Sequence, residues 1–286
     1  MGGIAPFPPR EPSFRRGFLR SMIRAVEEEI RQGYYDQRPG DNTILDALER
    51  PSLARALRRS PVPPALILEL KHASPGYQSD PLPDLSPELF VRLAQEGKVD
   101  ALSVIPQPFR FGGTLEEFGR VARRTSLPVI FKDFIISASQ IEAARAWGAS
   151  AILLLARLER EGGLENSLSE LVNVAHRQGL EALVEVHVPE DLPGALRSHP
   201  DVVGVNARDL DTLELRPDRA VQLLRLLRGL PVPLLGMSGV EGPVGVRRYE
   251  AAGATGILIG TSFAKALDRV SFLARLRQSP PSAGSS

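Results

Sequence analysis

Apolar runs of strand length punctuate the chain from residue 65 onward: Ala65 to Lys71, Ala101 to Ile105, Pro128 to Phe131, Ala151 to Leu155, Ala182 to Val186, Val202 to Asn206, Val232 to Met237 and Gly256 to Ile259. Short continuous runs of this kind read as strands buried on both faces. Between them lie helix patterns. Ser86-Pro87-Glu88 to Glu96 opens with a capping serine and a proline in the first turn, and Thr114-Leu115-Glu116-Glu117 to Arg124 opens on a capping threonine. Gly97, Gly148, Gly179 and Gly253 each end a helix pattern just ahead of a strand. Repeated helix, glycine, buried strand and helix predicts parallel strands joined by crossover helices. Eight such units over roughly 210 residues predict an α/β fold, a (β/α)8 TIM barrel, where an open doubly wound sheet would use fewer strands.

Upstream the rhythm is helical. Pro6 to Pro12 is proline-rich and expected to be loosely held. Ser13 to Gly33 carries an apolar stripe of Phe14, Phe18, Met22, Ile23, Val26 and Ile30 and predicts an amphipathic helix stopped at Gly33. After Pro39-Gly40-Asp41-Asn42, a second helical stretch carries Ile44, Leu45, Leu48, Leu53, Ala56 and Leu57, with Pro51 marking a break or a restart. The expected organisation is an N-terminal helical extension at 1–60 that caps one end of the barrel, the barrel at 61–278, and a flexible tail at 279–286.

Three strand runs break the apolar rule. With a side-chain period of two, Glu69 and Lys71 share one face of the first run while Leu68 and Leu70 share the other. Lys132 ends the third run, and Glu185 stands near the end of the fifth. Buried charge needs a compensating charge or a ligand. A closed parallel barrel gathers every C-terminal strand end on one rim, where the catalytic groups of this architecture stand. Each charge alone could snorkel or pair within the barrel mouth; four together point to a site.

Composition narrows the classes. A formal net charge of +1 gives no basic footprint for nucleic acid or an anionic membrane. The absence of cysteine removes disulfides, thiolate metal sites and a cysteine nucleophile. No apolar run reaches membrane-spanning length and Met1 to Pro12 lacks a signal-peptide core, so a cytoplasmic protein is expected. No long apolar surface face is left over, which favours a monomer. Only Lys71, Lys98, Lys132 and Lys265 are lysines among 35 basic residues. Two of the four stand at the strand ends just described, where an ammonium of tunable pKa suits proton transfer and arginine does not. Scarce lysine, absent cysteine and 25 prolines also fit a heat-adapted or GC-rich source. His72, His176, His187 and His199 lack metal-ligand spacing, so no metal is assigned. His187 could share the face of Glu185, a hydrogen bond at the rim being the simpler reading.

Gly236-Met237-Ser238-Gly239-Val240 follows the seventh run and Ile259-Gly260-Thr261-Ser262-Phe263 the eighth. Glycines admit close approach of backbone N–H groups, and a helix starting at Thr261 or Ser262 favours an anion. In barrels this is the usual phosphate position, against the alternative of two ordinary glycine-rich turns.

Glu69-Leu70-Lys71-His72-Ala73-Ser74-Pro75, Phe131-Lys132-Asp133-Phe134-Ile135, Glu185-Val186-His187, Gly204-Val205-Asn206-Ala207-Arg208-Asp209-Leu210, Ser238-Gly239 and Leu258-Ile259-Gly260-Thr261 resemble, in order, the strand-end motifs of the indole-3-glycerol phosphate synthase family. The resemblance covers about Ala65 to Leu276, and the helical preface is similar to the family's N-terminal extension. It implies ring closure, decarboxylation and dehydration of 1-(2-carboxyphenylamino)-1-deoxyribulose 5-phosphate to indole-3-glycerol phosphate in tryptophan biosynthesis, with no metal or organic cofactor. It further implies catalytic roles for Lys132 as the acid of condensation, Glu185 as acid and base in dehydration, Lys71 as the second ammonium, Glu69 as their holder and Asn206 as an orienting group. Phe111, Arg208, Ser74 and Leu258 would bind substrate, and Ser74, Ser238, Gly239, Gly260 and Thr261 its phosphate. Which lysine serves which step stays open. On the residues alone, Arg208 could instead pair with Asp209 or Glu69, and Phe111 could be an ordinary apolar anchor.

One departure from the pattern matters: the family's Glu-Ser-Gly-Ile stands here as Met237-Ser238-Gly239-Val240, without the carboxylate at 237. The main acid and base are retained, so an active enzyme with a rearranged proton network is expected. Two other classes fit a phosphate-binding barrel. A sugar-phosphate isomerase would want a Cys/Asp pair that this chain lacks, and a Schiff-base aldolase would use Lys132. A non-catalytic ligand-binding barrel would bind without turnover.

Overall fold

The computed structural model describes residues 17–40, 50–74 and 82–278. Eight parallel strands close into a barrel in sequence order: β1 (Ala65–Leu70), β2 (Ala101–Val104), β3 (Val129–Phe131), β4 (Ala151–Leu155), β5 (Glu181–Val186), β6 (Val202–Asn206), β7 (Leu234–Met237) and β8 (Gly256–Ile259). Every expected strand is present. The expectation extends one residue too far at the ends of β1 and β2 and begins one residue late on β5. β3 and β7 start after Pro128 and Pro233 rather than before them. A proline contributes only its carbonyl, and those carbonyls accept from Leu102 at 2.9 Å and Val203 at 3.0 Å.

The register sets which side chains enter the barrel. Ile67 pairs with Ala101 and Leu258, Glu69 with Ser103, Leu155 with Glu185, Glu185 with Gly204, and Asn206 with Met237. Alternation along each strand thus carries Glu69, Lys132, Glu185, Asn206, Met237 and Leu258 to the inner face near the C-terminal ends.

At the opposite end the strands are tied by side chains. Asp100 accepts from the Leu66 N–H at 2.8 Å, Ser150 from Val129 at 3.2 Å, Asp201 from Ala182 at 2.8 Å and Thr255 from Leu234 at 3.0 Å. Each acceptor precedes an even-numbered strand and satisfies an N–H of the odd strand before it. These otherwise orphaned donors would carry the desolvation penalty of an unmade hydrogen bond.

The helical preface does not cap one end of the barrel, as expected; it reaches both. α1 (Phe18–Arg31) starts after Gly17 at φ 110° and ends before Gly33, which takes φ 72°. Ser13 and Phe14 lie outside the described residues, as do Pro6 to Pro12. After α1, the Tyr34 hydroxyl donates to the Pro106 carbonyl at 2.8 Å near the C-terminal rim. α2 (Leu53–Arg58), capped by Ser52, closes the other end. Ser52 and the Ala54 N–H both donate to Glu181 at the start of β5, and Leu57 packs where a Cβ on Gly256 would sit 2.5 Å from its Cδ2. Pro51 precedes this helix as a restart. Ile44, Leu45 and Leu48 fall outside the described residues, as does the tail 279–286.

Among the outer helices, α3 (Pro87–Glu96) is capped by Ser86, α4 is a single turn (Pro108–Phe111), and α5 (Leu115–Arg123) is capped by Thr114. Gly97 ends α3 as expected, but for space rather than backbone freedom. Its φ is −77°, and an added Cβ would lie 2.3 Å from Leu273 Cδ1.

Candidate active site

One pocket opens at the C-terminal rim, and it collects most of the residues singled out from the sequence. Glu69, Lys71, Ser74, Phe111, Lys132, Glu185, Asn206, Arg208, Ser238 and Leu258 all line it. Glu69 is its hinge point. The carboxylate is 4% exposed, with Lys71 Nζ 2.6 Å from Oε1 and Lys132 Nζ 3.3 Å from Oε2. One acid therefore holds two ammoniums that stand one residue past the ends of β1 and β3, an arrangement available because Glu69 stands on the inward face one position before β1 ends. Gly260 permits it: a Cβ there would lie 2.6 Å from Glu69 Oε1 and 3.2 Å from Lys71 Nζ.

Electrostatics separates the two lysines. Burial pushes the Glu69 carboxyl up, but the ammoniums of Lys132 and Lys71 outweigh it and hold the group at about 2. Burial also lowers Lys71, and Glu69 offsets this only in part, with Lys132 adding to the depression. Burial acts on Lys132 in the same sense, yet Glu69 and Glu185 overcome it, so its pKa lies above the ordinary lysine value. Lys132 is accordingly the ammonium that stays charged, and Lys71 is the more readily deprotonated of the pair.

Glu185 faces them from β5. Asn206 Nδ2 donates to its Oε1 at 3.0 Å, and His187 Nε2 lies 2.9 Å from the same oxygen. Burial raises this carboxyl as well, and His187 and Lys132 more than compensate, leaving it below the ordinary value. His187 is thus against Glu185, 1% exposed, rather than at the open rim.

Aromatic side chains close the other wall. Phe111 stacks on Phe134 with centroids 6.3 Å apart at 29°, and Phe18 of α1 meets Phe134 edge-on at 6.1 Å. Phe18, Phe134 and Asp133 line the pocket without having been anticipated as site residues. Asp133 was visible only as the neighbour of Lys132, and Phe18 only as part of an apolar stripe. Behind this wall the Tyr35 hydroxyl donates to Asp133 Oδ2 at 2.7 Å, and Gln107 donates to Glu29 at 2.8 Å. Burial raises Asp133 to about 6; burial, then the charge of Asp133, raises Glu29 to about 8.

Arg208 sends Nη1 to the Leu213 carbonyl at 2.8 Å, while Asp209 turns to Arg219 at 3.2 Å. Ser238 takes φ 64° and Gly239 φ 74°, a paired left-handed turn whose Ser238 carbonyl accepts from Tyr249 at 3.0 Å. Of the expected phosphate group, Ser74 and Ser238 line the pocket; Gly239 follows Ser238 in the turn, and Gly260 caps the short helix Thr261–Lys265. Met237 is buried beside Leu258 with its sulfur facing Gly204, where a Cβ would meet it at 2.8 Å. His72 pairs with Glu117 and His176 with Asp201, each at 2.8 Å.

Comparison with known proteins places this geometry. The model of the family described as indole-3-glycerol phosphate synthase matches residues 23–276. A curated relative of that name from Shouchella clausii is 34% identical over 88% of this chain and 94% of its own. Another from Mycobacteroides abscessus is 39% identical over 68% of this chain and 70% of its own. Among solved structures, a thiamine phosphate pyrophosphorylase from Pyrococcus furiosus aligns with a TM-score of 0.53 at 16% identity, over 75% of this chain and 94% of that one. A tryptophan synthase α-subunit mutant from the same organism aligns at 0.52 and 14% identity, over 76% and 97%. At such identities the likeness is one of fold.

Proposed function

The chain belongs to the indole-3-glycerol phosphate synthase family, and from that premise we propose how its residues divide the reaction. The activity is that of a carboxy-lyase: 1-(2-carboxyphenylamino)-1-deoxyribulose 5-phosphate closes its ring, loses carbon dioxide and water, and leaves as indole-3-glycerol phosphate. Lys132 protonates the ribulose carbonyl oxygen as the carboxylated aromatic carbon attacks. Loss of carbon dioxide then restores the aromatic ring. Departure of the hydroxyl needs a second acid and a base, and Lys71 and Glu185 take these parts. Glu69 keeps the two ammoniums apart and aimed, Asn206 orients Glu185 and substrate, and the Arg208 guanidinium meets the substrate carboxylate. Phe111 packs on the anthranilate ring and Leu258 on its apolar flank. Ser74, Ser238, Gly239, Gly260 and Thr261 receive the phosphate.

The observation that carries this assignment is the single buried carboxylate of Glu69 with an ammonium at each oxygen, 2.6 and 3.3 Å away, in one pocket with Glu185. The pKa values of the two lysines are pushed in opposite directions, the condition under which two like groups serve different proton transfers. Residues 1–60 serve as an extension to the catalytic barrel 61–278, with 279–286 as a tail. The exposed large apolar residues, Val62, Leu196, Leu226, Val244 and Leu267, belong to different segments, which supports a monomer. No helix among the described residues is long and apolar enough to cross a membrane, and a cytoplasmic location is part of the proposal.

The test is indole fluorescence after mixing purified protein with 1-(2-carboxyphenylamino)-1-deoxyribulose 5-phosphate, beside Lys132→Ala and Glu185→Gln. Product from the parent with severe loss in both variants supports the assignment; a folded, phosphate-binding parent without product overturns it. Met237 in place of the family's glutamate predicts a rearranged proton network, read by comparing the pH–rate profile with that of Met237→Glu. Superimposable profiles would remove that part of the account.

A further inference from the structure

Glu185 has two unequal oxygens. Oε1 is held by Asn206 Nδ2 at 3.0 Å and approached by His187 Nε2 at 2.9 Å. Oε2 is buried with no hydrogen-bond partner among the described residues. His187 is itself anomalous. At 1% exposure its imidazole is sealed from solvent, it does not line the pocket, and neither ring nitrogen has an aligned hydrogen-bond partner among the described residues. A buried imidazole with both nitrogens unpaired carries the desolvation cost of its unmet polar groups. Its Nε2 lies 2.9 Å from Oε1 of the acid that lines the pocket, without an aligned hydrogen bond.

We propose that His187 is a positioning residue for Glu185: with Asn206 it fixes Oε1, and so commits Oε2 as the oxygen that exchanges the proton with substrate. The inference rests on the acid–base role assigned to Glu185 above. The local architecture supports it. Period-two alternation places residues 185 and 187 on the same inward face of β5 and its extension. The backbone at 187 is pinned independently, since the N–H groups of His187 and Val188 donate to Asp191 Oδ2 at 2.9 and 3.1 Å, and Asp191 Oδ1 pairs with Arg160 at 3.2 Å. Asp191 is therefore committed to the main chain and to Arg160, and Glu159, next to Arg160 in the chain, accepts from the Leu168 N–H at 2.9 Å. The remaining charge facing Glu185 is Lys132 from β3. Among the described residues, the groups acting on Glu185 are His187, Lys132 and Asn206. Oε1 is thus occupied, and Oε2 is the oxygen of this pocket-lining acid that has no partner among the described residues.

The experiment compares parent, His187→Phe, His187→Asn and Glu185→Gln in steady-state turnover from pH 5 to 9, with the unfolding midpoint of each. His187→Phe fills the cavity but supplies no donor. The expected result is a fall in kcat of about tenfold to a hundredfold with KM nearly unchanged, and an acidic limb displaced to higher pH because a buried carboxylate has lost a stabilising neighbour. His187→Asn, which keeps a donor, should recover part of both. A Phe variant that folds and keeps the parent's acidic limb overturns the proposal, as does an equal kcat loss in Phe and Asn with no movement of that limb, the pattern of a packing role. Should Phe fail to fold, His187→Leu takes its place and is read the same way: a displaced acidic limb with lowered kcat supports the proposal, and a folded variant with the parent's limb overturns it. The premise is tested separately, because turnover in Glu185→Gln removes the role of Glu185 itself, while a dead Glu185→Gln beside a parent-like His187→Phe removes only the positioning claim.

Discussion

The two ends of this barrel treat buried polar groups in opposite ways. At the N-terminal end, Asp100, Ser150, Asp201 and Thr255 each accept from a backbone N–H of a neighbouring strand, and Glu181 accepts from Ser52 and Ala54 of the preface. At the C-terminal end, Glu69, Lys71, Lys132 and Glu185 face one another across a pocket, and Glu69 Oε2 and Glu185 Oε2 lack an aligned donor among the described residues. The same strands supply both ends. Polar side chains tied to the main chain are spent on closing the barrel; those left to each other can change protonation without releasing a strand. The difference teaches where mutations should separate stability from activity.

Glu69→Gln should break the upper end most severely. Two ammoniums would lose their shared counter-charge, and turnover should fall by about 10²- to 10⁴-fold. Because Glu69 is what lifts Lys132 above its ordinary value, the alkaline limb of the pH–rate profile should also move to lower pH, which a pH series of initial rates would detect. Asp100→Ala should break the lower end instead. It strands the Leu66 N–H and removes a partner 3.0 Å from Arg277, lowering stability by about 2–3 kcal/mol in urea unfolding with turnover within about twofold of the parent. Ser150→Ala, which leaves only the Val129 N–H unmet, should cost about 1 kcal/mol by the same assay.

The acid pair behind the aromatic wall sharpens the contrast, since it lies at the C-terminal end yet one member, Glu29, belongs to the preface. Glu29 is raised from 4.5 to about 8, by burial first and the Asp133 charge second. Between those values the folded chain holds a proton that the unfolded chain releases, so stability should fall as pH rises from about 4.5 to 8 and level off above. The unfolding equilibrium should shift by up to about tenfold per pH unit within that window. Glu29→Gln should flatten the slope, stabilising the protein at pH 8 relative to the parent while changing little at pH 4.5. Urea midpoints across the range would show it; an unchanged slope would mean that Glu29 is not the titrating group.

Much of this was legible in the sequence because it rests on local periodicity. Eight strand runs and their glycine stops are local features, alternation puts Glu69 and Lys71 on one face, and closure of the barrel gathers Lys132 and Glu185 to the same rim. What escaped depends on which distant segments meet. The stripe of α1 says that the helix is half buried, not that Phe18 stands against Phe134 at the substrate rim. Nothing in Leu53 to Arg58 names the opposite end of the barrel as its partner, a choice made by Ser52 and Glu181 across 129 residues of chain. Asp133 carries no signal beyond its place beside Lys132, and its partner Tyr35 comes from 98 residues away. Arg208 and Asp209 invited pairing because they are adjacent; the fold turns Asp209 to Arg219 and Arg208 to the Leu213 carbonyl.

The division between the two ends is tested most directly by measuring turnover and urea midpoint together on Lys132→Met and Asp100→Ala. Crossed effects are expected. Lys132→Met should lose turnover by about 10²-fold or more while unfolding nearer the parent's midpoint than Asp100→Ala does, and Asp100→Ala should unfold early while its folded fraction turns over normally. Parallel losses of stability and activity in both variants, or near-parental turnover in Lys132→Met, would contradict the account.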